Sequence, residues 1–496
     1  IASAQFLSIL IRILKAKLVA VLLGPSGTGL LSVFANLQML GSQAAGLGLA
    51  QSGVRDLATS RGDAEVLGRL RHVLMITLAL QGGIAMAVIW LMREQISVWL
   101  LGDAVHVTEI GLVGVAVLLF LLASSQQTLL RGMRRVGDLG RVMVLGTLAG
   151  AVVGIAAVWL MGRDGLIWFL LAEPLGALLV GVIYARRLPL PAGGWPPLGE
   201  IWQRWQPMVR LGMVIMLGGL LTTATLLLVR SLIIRDLGLD AAGQFAAAWT
   251  IAMTYVGFLL QSMGSDYFPR LCQILKDSNA VNRLVNEQVQ IALALGGPIL
   301  LLIIGLAPWL IELMYSSDFD DAAVLLQWQM AGNIFRLTFF PMALFLLASK
   351  RPIAYFLIHL QFNIVFFGII WLGLPVLGIK ATGIGFLTSN LVHGALIFVI
   401  VWWVSEIRWD SVTFQFFLVH STLALTLLVM ASLNPLVGAT SSIILGAATI
   451  IVGIRFLVSR GGPSGRIYSR LASFFKMIGW PILTINQTND GKKHDQ

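Results

Sequence analysis

Apolar segments long enough to cross a lipid bilayer recur from one end of this 496-residue chain to the other. They fall near 1–23, 30–54, 72–92, 106–130, 142–162, 165–185, 208–234, 241–268, 285–313, 323–349, 353–373, 380–404, 412–432 and 438–458. About 20 apolar residues in a helix cross the hydrocarbon core of a membrane, so the pattern predicts about fourteen transmembrane helices. Every backbone N–H and C=O inside lipid must find a partner within the protein, which leaves helices and closed barrels. Barrel strands run to only about 10 residues, and these apolar runs are longer. The connections are short and carry turn residues, as in Gly24-Pro25-Ser26-Gly27, Gly162-Arg163-Asp164-Gly165 and Asn434-Pro435. No soluble domain fits between them. The fold class expected is an all-α polytopic membrane protein.

Composition excludes the main alternatives. With 57% hydrophobic and 11% charged residues, the chain has too few charges to cover a soluble surface, for which about 25% is usual. It is also too apolar for disorder. Cys272 is the single cysteine, so no internal disulfide can form and no thiol metal site is expected. The net charge of +11 would suggest nucleic acid in a soluble domain. Here it is read as loop charge facing the cytoplasm, and no nucleic-acid partner is expected. No signal peptide is visible. The chain begins at Ile1 rather than methionine, so residues missing before it are an open alternative.

Charge also sets orientation. If the spans alternate, 25 of the 34 Lys and Arg residues fall on the side of the termini, and four (Arg93, Arg163, Arg235 and Lys380) on the other. The positive-inside rule then places both termini in the cytoplasm and supports an even number of spans.

The chain repeats itself weakly. Leu23-Gly24 through Gly29 resembles Leu237-Gly238 through Gly243, an offset of 214, and Arg134-Arg135 matches Lys350-Arg351 at 216. The repeat unit is six spans, so both copies share one orientation, related by a pseudo-two-fold along the membrane normal. Spans thirteen and fourteen are extra. The domains expected are an N-terminal six-helix lobe (1–187), a Pro-rich cytoplasmic linker (188–207), a C-terminal six-helix lobe (208–404), the two extra helices (405–460) and a cytoplasmic tail (461–496). In the tail, Ile467, Leu471, Phe474, Phe475 and Ile478 share a face opposite Arg466, Arg470 and Lys476, which predicts an amphipathic helix lying on anionic lipid or docking a partner.

Ionisable groups inside spans carry the functional signal, because each costs about 2.5–3.5 kcal/mol or more at the bilayer centre. Arg12, Lys15 and Lys17 lie in the first span, Arg230 in the seventh and Arg336 in the tenth, one turn after Asn333. Ser8, Arg12 and Lys15 share one helix face, and Lys17 points elsewhere. The first and seventh spans are equivalent in the repeat, so their basic groups are expected to face a central cleft. A cationic cleft suits an anionic headgroup such as a pyrophosphate, whose hydration shell Arg and Lys replace with charge-assisted hydrogen bonds. The competing reading is snorkelling of Lys17 and Arg230 to the membrane surface. The one deep acid is Glu173, followed by Pro174. It is a candidate for coupling to an ion gradient, or else a counter-charge to a basic residue. Gln38, Gln126 and Asn333 are candidate polar residues of a hydrated cavity, with interhelical hydrogen bonding as the default. His359 and His393 are not spaced as a metal pair on one helix. No metal site, catalytic set or cofactor is expected.

The basic first span ending in Leu22-Leu23-Gly24-Pro25-Ser26-Gly27-Thr28-Gly29-Leu30 resembles the polysaccharide transporters. So does Gly46-Leu47-Gly48-Leu49-Ala50-Gln51-Ser52-Gly53-Val54-Arg55 after it, within a six-plus-six-plus-two arrangement. The resemblance is strongest to Wzx-type O-antigen flippases of the multidrug/oligosaccharidyl-lipid/polysaccharide exporter superfamily. It implies a bacterial inner-membrane protein, not an enzyme, that moves undecaprenyl-pyrophosphate-linked oligosaccharide (an O-antigen or exopolysaccharide repeat unit) across the membrane by alternating access, driven by an ion gradient. It implies a polyprenyl-pyrophosphate-linked oligosaccharide and the bilayer as partners, with polysaccharide polymerase or chain-length proteins as further candidates. Related lipid II flippases carry essential basic residues in the first helix, and Lys15 looks like the equivalent position. The eighth span holds fewer basic residues than such cavities show. The alternatives are a multidrug or cation antiporter on the same scaffold, which would need acidic lining residues, and a membrane polysaccharide polymerase, which would need catalytic carboxylates or a long outer loop.

Overall fold

A computed structural model describes residues 2–60, 63–188, 196–349 and 351–460. The amphipathic segment expected in the tail lies outside the described residues. Within them the chain forms α1 (Ala2–Gly46), α2 (Leu49–Thr59), α3 (Ala64–Leu91), α4 (Arg93–Leu101), α5 (Val107–Gly132), α6 (Val136–Met161) and α7 (Gly165–Ala185). It continues as α8 (Leu198–Ile274), α9 (Ser278–Met314), α10 (Asp320–Ala348), α11 (Pro352–Leu377), α12 (Lys380–Val404), α13 (Ser411–Leu433) and α14 (Pro435–Arg460). Ten of the described segments are long and apolar enough to cross a membrane by themselves. Two of these, Val136–Ala185 and Met216–Ile274, each hold two of the spans read from the sequence. The protein is a multi-pass, all-α membrane protein.

The long helices α1 and α8 are each two helical stretches joined at a glycine. Gly24 (φ 65°, ψ −165°) interrupts α1, and Gly238 (φ 89°, ψ 176°) interrupts α8. Both occupy the positive-φ region that a residue with a Cβ rarely enters. Pro25 then opens the second half of α1, where a missing N–H is harmless. The two breaks lie 214 residues apart, at the positions the internal repeat makes equivalent. They also meet: a Cβ at Gly29 would collide with the Leu239 carbonyl, and one at Gly243 with the Pro25 carbonyl. The repeat therefore appears as two broken helices crossing backbone to backbone.

Three features differ from the sequence expectation. The span expected at 30–54 breaks at Leu47 and Gly48 (φ 45° and 69°), where α1 gives way to α2. The connection at 93–105 contains the short helix α4, seated by its buried Ser97, Leu100 and Leu101. Residues expected in the polar linker are helical from Leu198 onward, because Ile201, Met208 and Val209 are buried on one side of this first stretch of α8. Glu200 ties that stretch down by accepting from Arg204 Nε at 3.0 Å and by pairing with Arg69 at 3.5 Å.

The chain divides into two compact units. One runs to Ala247 and includes Ile311–Asp321 and Phe367–Ala381. Its helices α6 and α7 meet along a glycine stripe, where Cβ atoms at Gly146, Gly150 and Gly154 would lie 2.9, 2.6 and 2.8 Å from Ala177, Glu173 and Phe169 respectively. Small residues four apart let transmembrane helices approach this closely.

The other unit comprises Ala248–Leu310, Ala322–Phe366 and the chain from Thr382 onward. Its start of α9 grips the turn before α13 with a ladder of amides. Asn282 Oδ1 accepts from Arg408 N at 3.0 Å, Asn286 Nδ2 donates to Arg408 O at 2.8 Å, and Gln290 Nε2 donates to Asp410 Oδ1 at 3.0 Å. Asp410 also caps α13 through Thr413 N. Helices α13 and α14 are thus anchored to α9 within this unit.

Candidate functional site

The first half of α1 presents Ser8, Arg12 and Lys15 on one face, as their spacing requires. On α7, Phe169 and Glu173 are one turn apart and share a face. The glycine stripe of α6 fixes the backbone at both of these positions, since Gly154 lies against Phe169 and Gly150 against Glu173. The two faces come together in one ionic cluster. Arg12 Nη2 donates to Glu173 Oε1 at 2.8 Å, and Lys15 Nζ donates to Glu173 Oε2 at 2.9 Å. Lys15 Nζ also lies 4.1 Å from the centroid of the Phe169 ring, a cation–π contact. The side chains grade from open to closed: Arg12 is 61% exposed, Glu173 28% and Lys15 8%.

The stoichiometry decides the electrostatics. One carboxylate serves two cations, so the cluster keeps a formal charge of +1. Each carboxylate oxygen holds one cation, and the anion bridges two groups that would otherwise repel. The Ser8 hydroxyl is 4% exposed and has no hydrogen-bond partner. It adds an unused donor to the same face of α1.

Arg230 lies on α8 before its break and is 8% exposed. Its partners are neutral and belong to the second half of α1. Arg230 Nη1 donates to Ser32 O at 3.4 Å. The amide of Asn36, turned so that its oxygen faces the guanidinium, accepts from Arg230 Nη1 at 2.8 Å and from Leu227 N at 3.0 Å. Arg230 Nε has no partner, and Arg230 forms no ion pair with a carboxylate among the described residues. The structure therefore joins Arg12 and Lys15 to Glu173, and sets Arg230 of α8 against the second half of α1, beyond the Gly24 break.

The remaining candidates are separate from this cluster. Lys17 Nζ donates to Leu313 O at the end of α9, at 2.5 Å. There it satisfies one of the carbonyls that a helix end leaves open. Gln38 Nε2 donates to Ala116 O at 3.4 Å, and Gln126 Nε2 donates to Ser125 Oγ at 3.3 Å. The first joins α1 to α5, and the second lies within α5. In the other unit Asn333 Nδ2 donates to Ala252 O at 3.4 Å, while its Oδ1 is unpartnered. Arg336 Nη1 donates to Met253 Sδ at 3.0 Å. His359 and His393 meet edge to face with centroids 5.5 Å apart, each Nδ1 on a backbone carbonyl. Among the described residues, no three His, Cys, Asp or Glu side chains converge as metal ligands.

Sequence reasoning missed Phe169 and the Asn36 contact to Arg230. The first was legible as the residue one turn before Glu173 on the glycine-contacted face. The second had no signal, since 194 positions separate Asn36 from Arg230.

The chain matches the family model described as polysaccharide biosynthesis protein over residues 18–324. No curated protein sequence matches it. Among solved structures, it is similar to an inward-facing multidrug resistance MATE family transporter of the MOP superfamily. The TM-score is 0.68 at 16% identity, covering 79% of this chain and 93% of that one. It is similar to the lipid II flippase MurJ in an inward closed conformation, with TM-score 0.65 at 13% identity, covering 92% of this chain and 99% of that one. A MOP superfamily transporter from Pyrococcus furiosus, described by the reverse polarity of its binding pocket, gives TM-score 0.55 at 16% identity, covering 80% and 92%. These likenesses show that the chain has the MATE- and MurJ-like transporter fold.

Proposed function

The chain belongs to the polysaccharide biosynthesis protein family, and on that premise we propose that it is a flippase for polyprenyl-pyrophosphate-linked oligosaccharide. It carries an O-antigen or exopolysaccharide repeat unit across the bacterial inner membrane by alternating access, coupled to an ion gradient, with both termini in the cytoplasm. The observation that carries this reading is the uncompensated positive charge in the unit that holds α1 and α7. Arg12 and Lys15 share one carboxylate, and among the described residues Arg230 is buried on neutral acceptors alone. Net positive charge in membrane-spanning segments is expensive to keep, and a substrate of the opposite sign explains why it is there. A pyrophosphate headgroup brings that sign together with acceptor oxygens for Arg, Lys and Ser8.

Ala at Arg12, Lys15 and Arg230 together should abolish surface polysaccharide while the protein still inserts in the membrane. Wild-type polysaccharide in that triple variant contradicts the reading.

The second reading, a cation or drug antiporter, draws support from the MATE-like fold. It would need a carboxylate free to meet a cationic drug, and Glu173 already holds two cations. Unchanged drug susceptibility on deletion, with loss of surface polysaccharide, separates the two.

A further inference from the structure

We propose that Glu173 is the resident anion of this site: an internal stand-in that the substrate's pyrophosphate displaces, and that bars singly charged lipid phosphates from Arg12 and Lys15. The proposal rests on the headgroup reading above and adds to it what sets the selectivity.

Charge balance is the first argument. An empty site with Arg12 and Lys15 unpaired would leave two cations in a membrane-spanning segment, which is costly. Glu173 removes most of that cost while the substrate is absent. The same carboxylate competes with any other anion for both cations, because each of its oxygens is held by one of them, at 2.8 and 2.9 Å.

Geometry makes the exchange feasible. The backbone of Glu173 is pinned against Gly150, but its side chain needs only rotation about its own bonds to swing away. Exposure falls from Arg12 (61%) to Lys15 (8%), so an incoming anion meets Arg12 first and competes with the second carboxylate oxygen for Lys15. The Ser8 hydroxyl is buried and unpartnered on this face of α1. It is a donor that Glu173 does not use and that an anion with more oxygens can.

Selectivity follows from competition. A tethered carboxylate competes at an effective concentration in about the millimolar range or above. A phosphodiester lipid carries one negative charge, as Glu173 does, and gains nothing by replacing it. A pyrophosphate carries more charge and more acceptors, and wins. Glu173 thereby holds back the abundant anionic lipids of the bilayer from a site built for a rarer headgroup.

The test uses the purified full chain, with farnesyl pyrophosphate and phosphatidylglycerol as probes for wild type and Glu173→Gln. Wild type should bind farnesyl pyrophosphate and discriminate against phosphatidylglycerol. Glu173→Gln should bind the pyrophosphate about tenfold more tightly and should lose most of the discrimination. In the unaltered protein, farnesyl pyrophosphate should increase modification of Glu173 by a hydrophobic carbodiimide, read by mass spectrometry, because the displaced carboxylate is no longer held. That second arm needs no variant to fold. If wild type binds the pyrophosphate and Glu173→Gln binds it equally or more weakly, or carbodiimide modification does not rise, the exchange is wrong and the headgroup reading survives. If neither protein binds the pyrophosphate, both fail.

Discussion

Two cationic positions beside α1, one formed by its own Arg12 and Lys15 and one by Arg230 of α8, are met in opposite ways. In the first half of the helix, Arg12 and Lys15 are matched by a carboxylate from α7. In the second half, the guanidinium of Arg230 is met by an amide oxygen and a backbone carbonyl. Amide and carbonyl dipoles hold a guanidinium in place without cancelling its charge, whereas Glu173 cancels one charge of two. The first position has an anion that can be exchanged. The second is a fixed positive charge with an unused Nε donor.

The comparison can be broken most severely at its scaffold. Gly150→Leu should separate α6 from α7 at Glu173, because a Cβ there already lies 2.6 Å from the Glu173 Cα. We expect loss of transport and a destabilisation of about 1–3 kcal/mol, read from thermal unfolding in detergent. Gly83→Ala, with open space around its Cβ, should leave both unchanged or slightly improved.

Next in size, Glu173→Ala leaves two cations without their counter-charge, one of them 8% exposed. A loss of about 3 kcal/mol is expected, detectable as a lowered melting temperature that added pyrophosphate partly restores. Asn36→Ala probes the other position by removing a neutral acceptor from Arg230. Its cost should be about 1.5–3 kcal/mol, with less restoration by the same ligand because no anion was lost. Equal restoration in the two variants would erase the distinction drawn here. The smallest effect belongs to Phe169→Leu, which removes the ring beneath Lys15 and should weaken stability by about 0.5–1 kcal/mol while leaving both ion pairs intact.

The architecture was written plainly in the sequence, and the pairing was not. Spanning-length apolar runs gave the helices, and the Leu23-Gly24 and Leu237-Gly238 match, read as a repeat, coincides with both breaks. The short helix α4 was missed because its apolar content is low and its nine residues fall below spanning length. Which charges meet was less legible. Arg12 and Glu173 are 161 positions apart, and Lys17 and the Leu313 carbonyl 296 apart. Membrane helices that are apolar on every side do not announce which face turns inward. The exception is α6, whose Gly146, Gly150 and Gly154 mark the face that receives α7. That stripe is the sequence feature that could have placed Glu173 against α6.

The central claim is that uncompensated positive charge on α1 and α8 receives the pyrophosphate of a lipid-linked sugar. The most direct measurement is flipping of a fluorescent polyprenyl-pyrophosphate oligosaccharide in proteoliposomes by wild type, by Arg12→Gln with Lys15→Gln, and by Arg230→Gln. The account predicts a roughly tenfold or greater loss of rate in each variant, with activity retained by Arg12→Lys. Wild-type rates in both charge-neutralised proteins would contradict it.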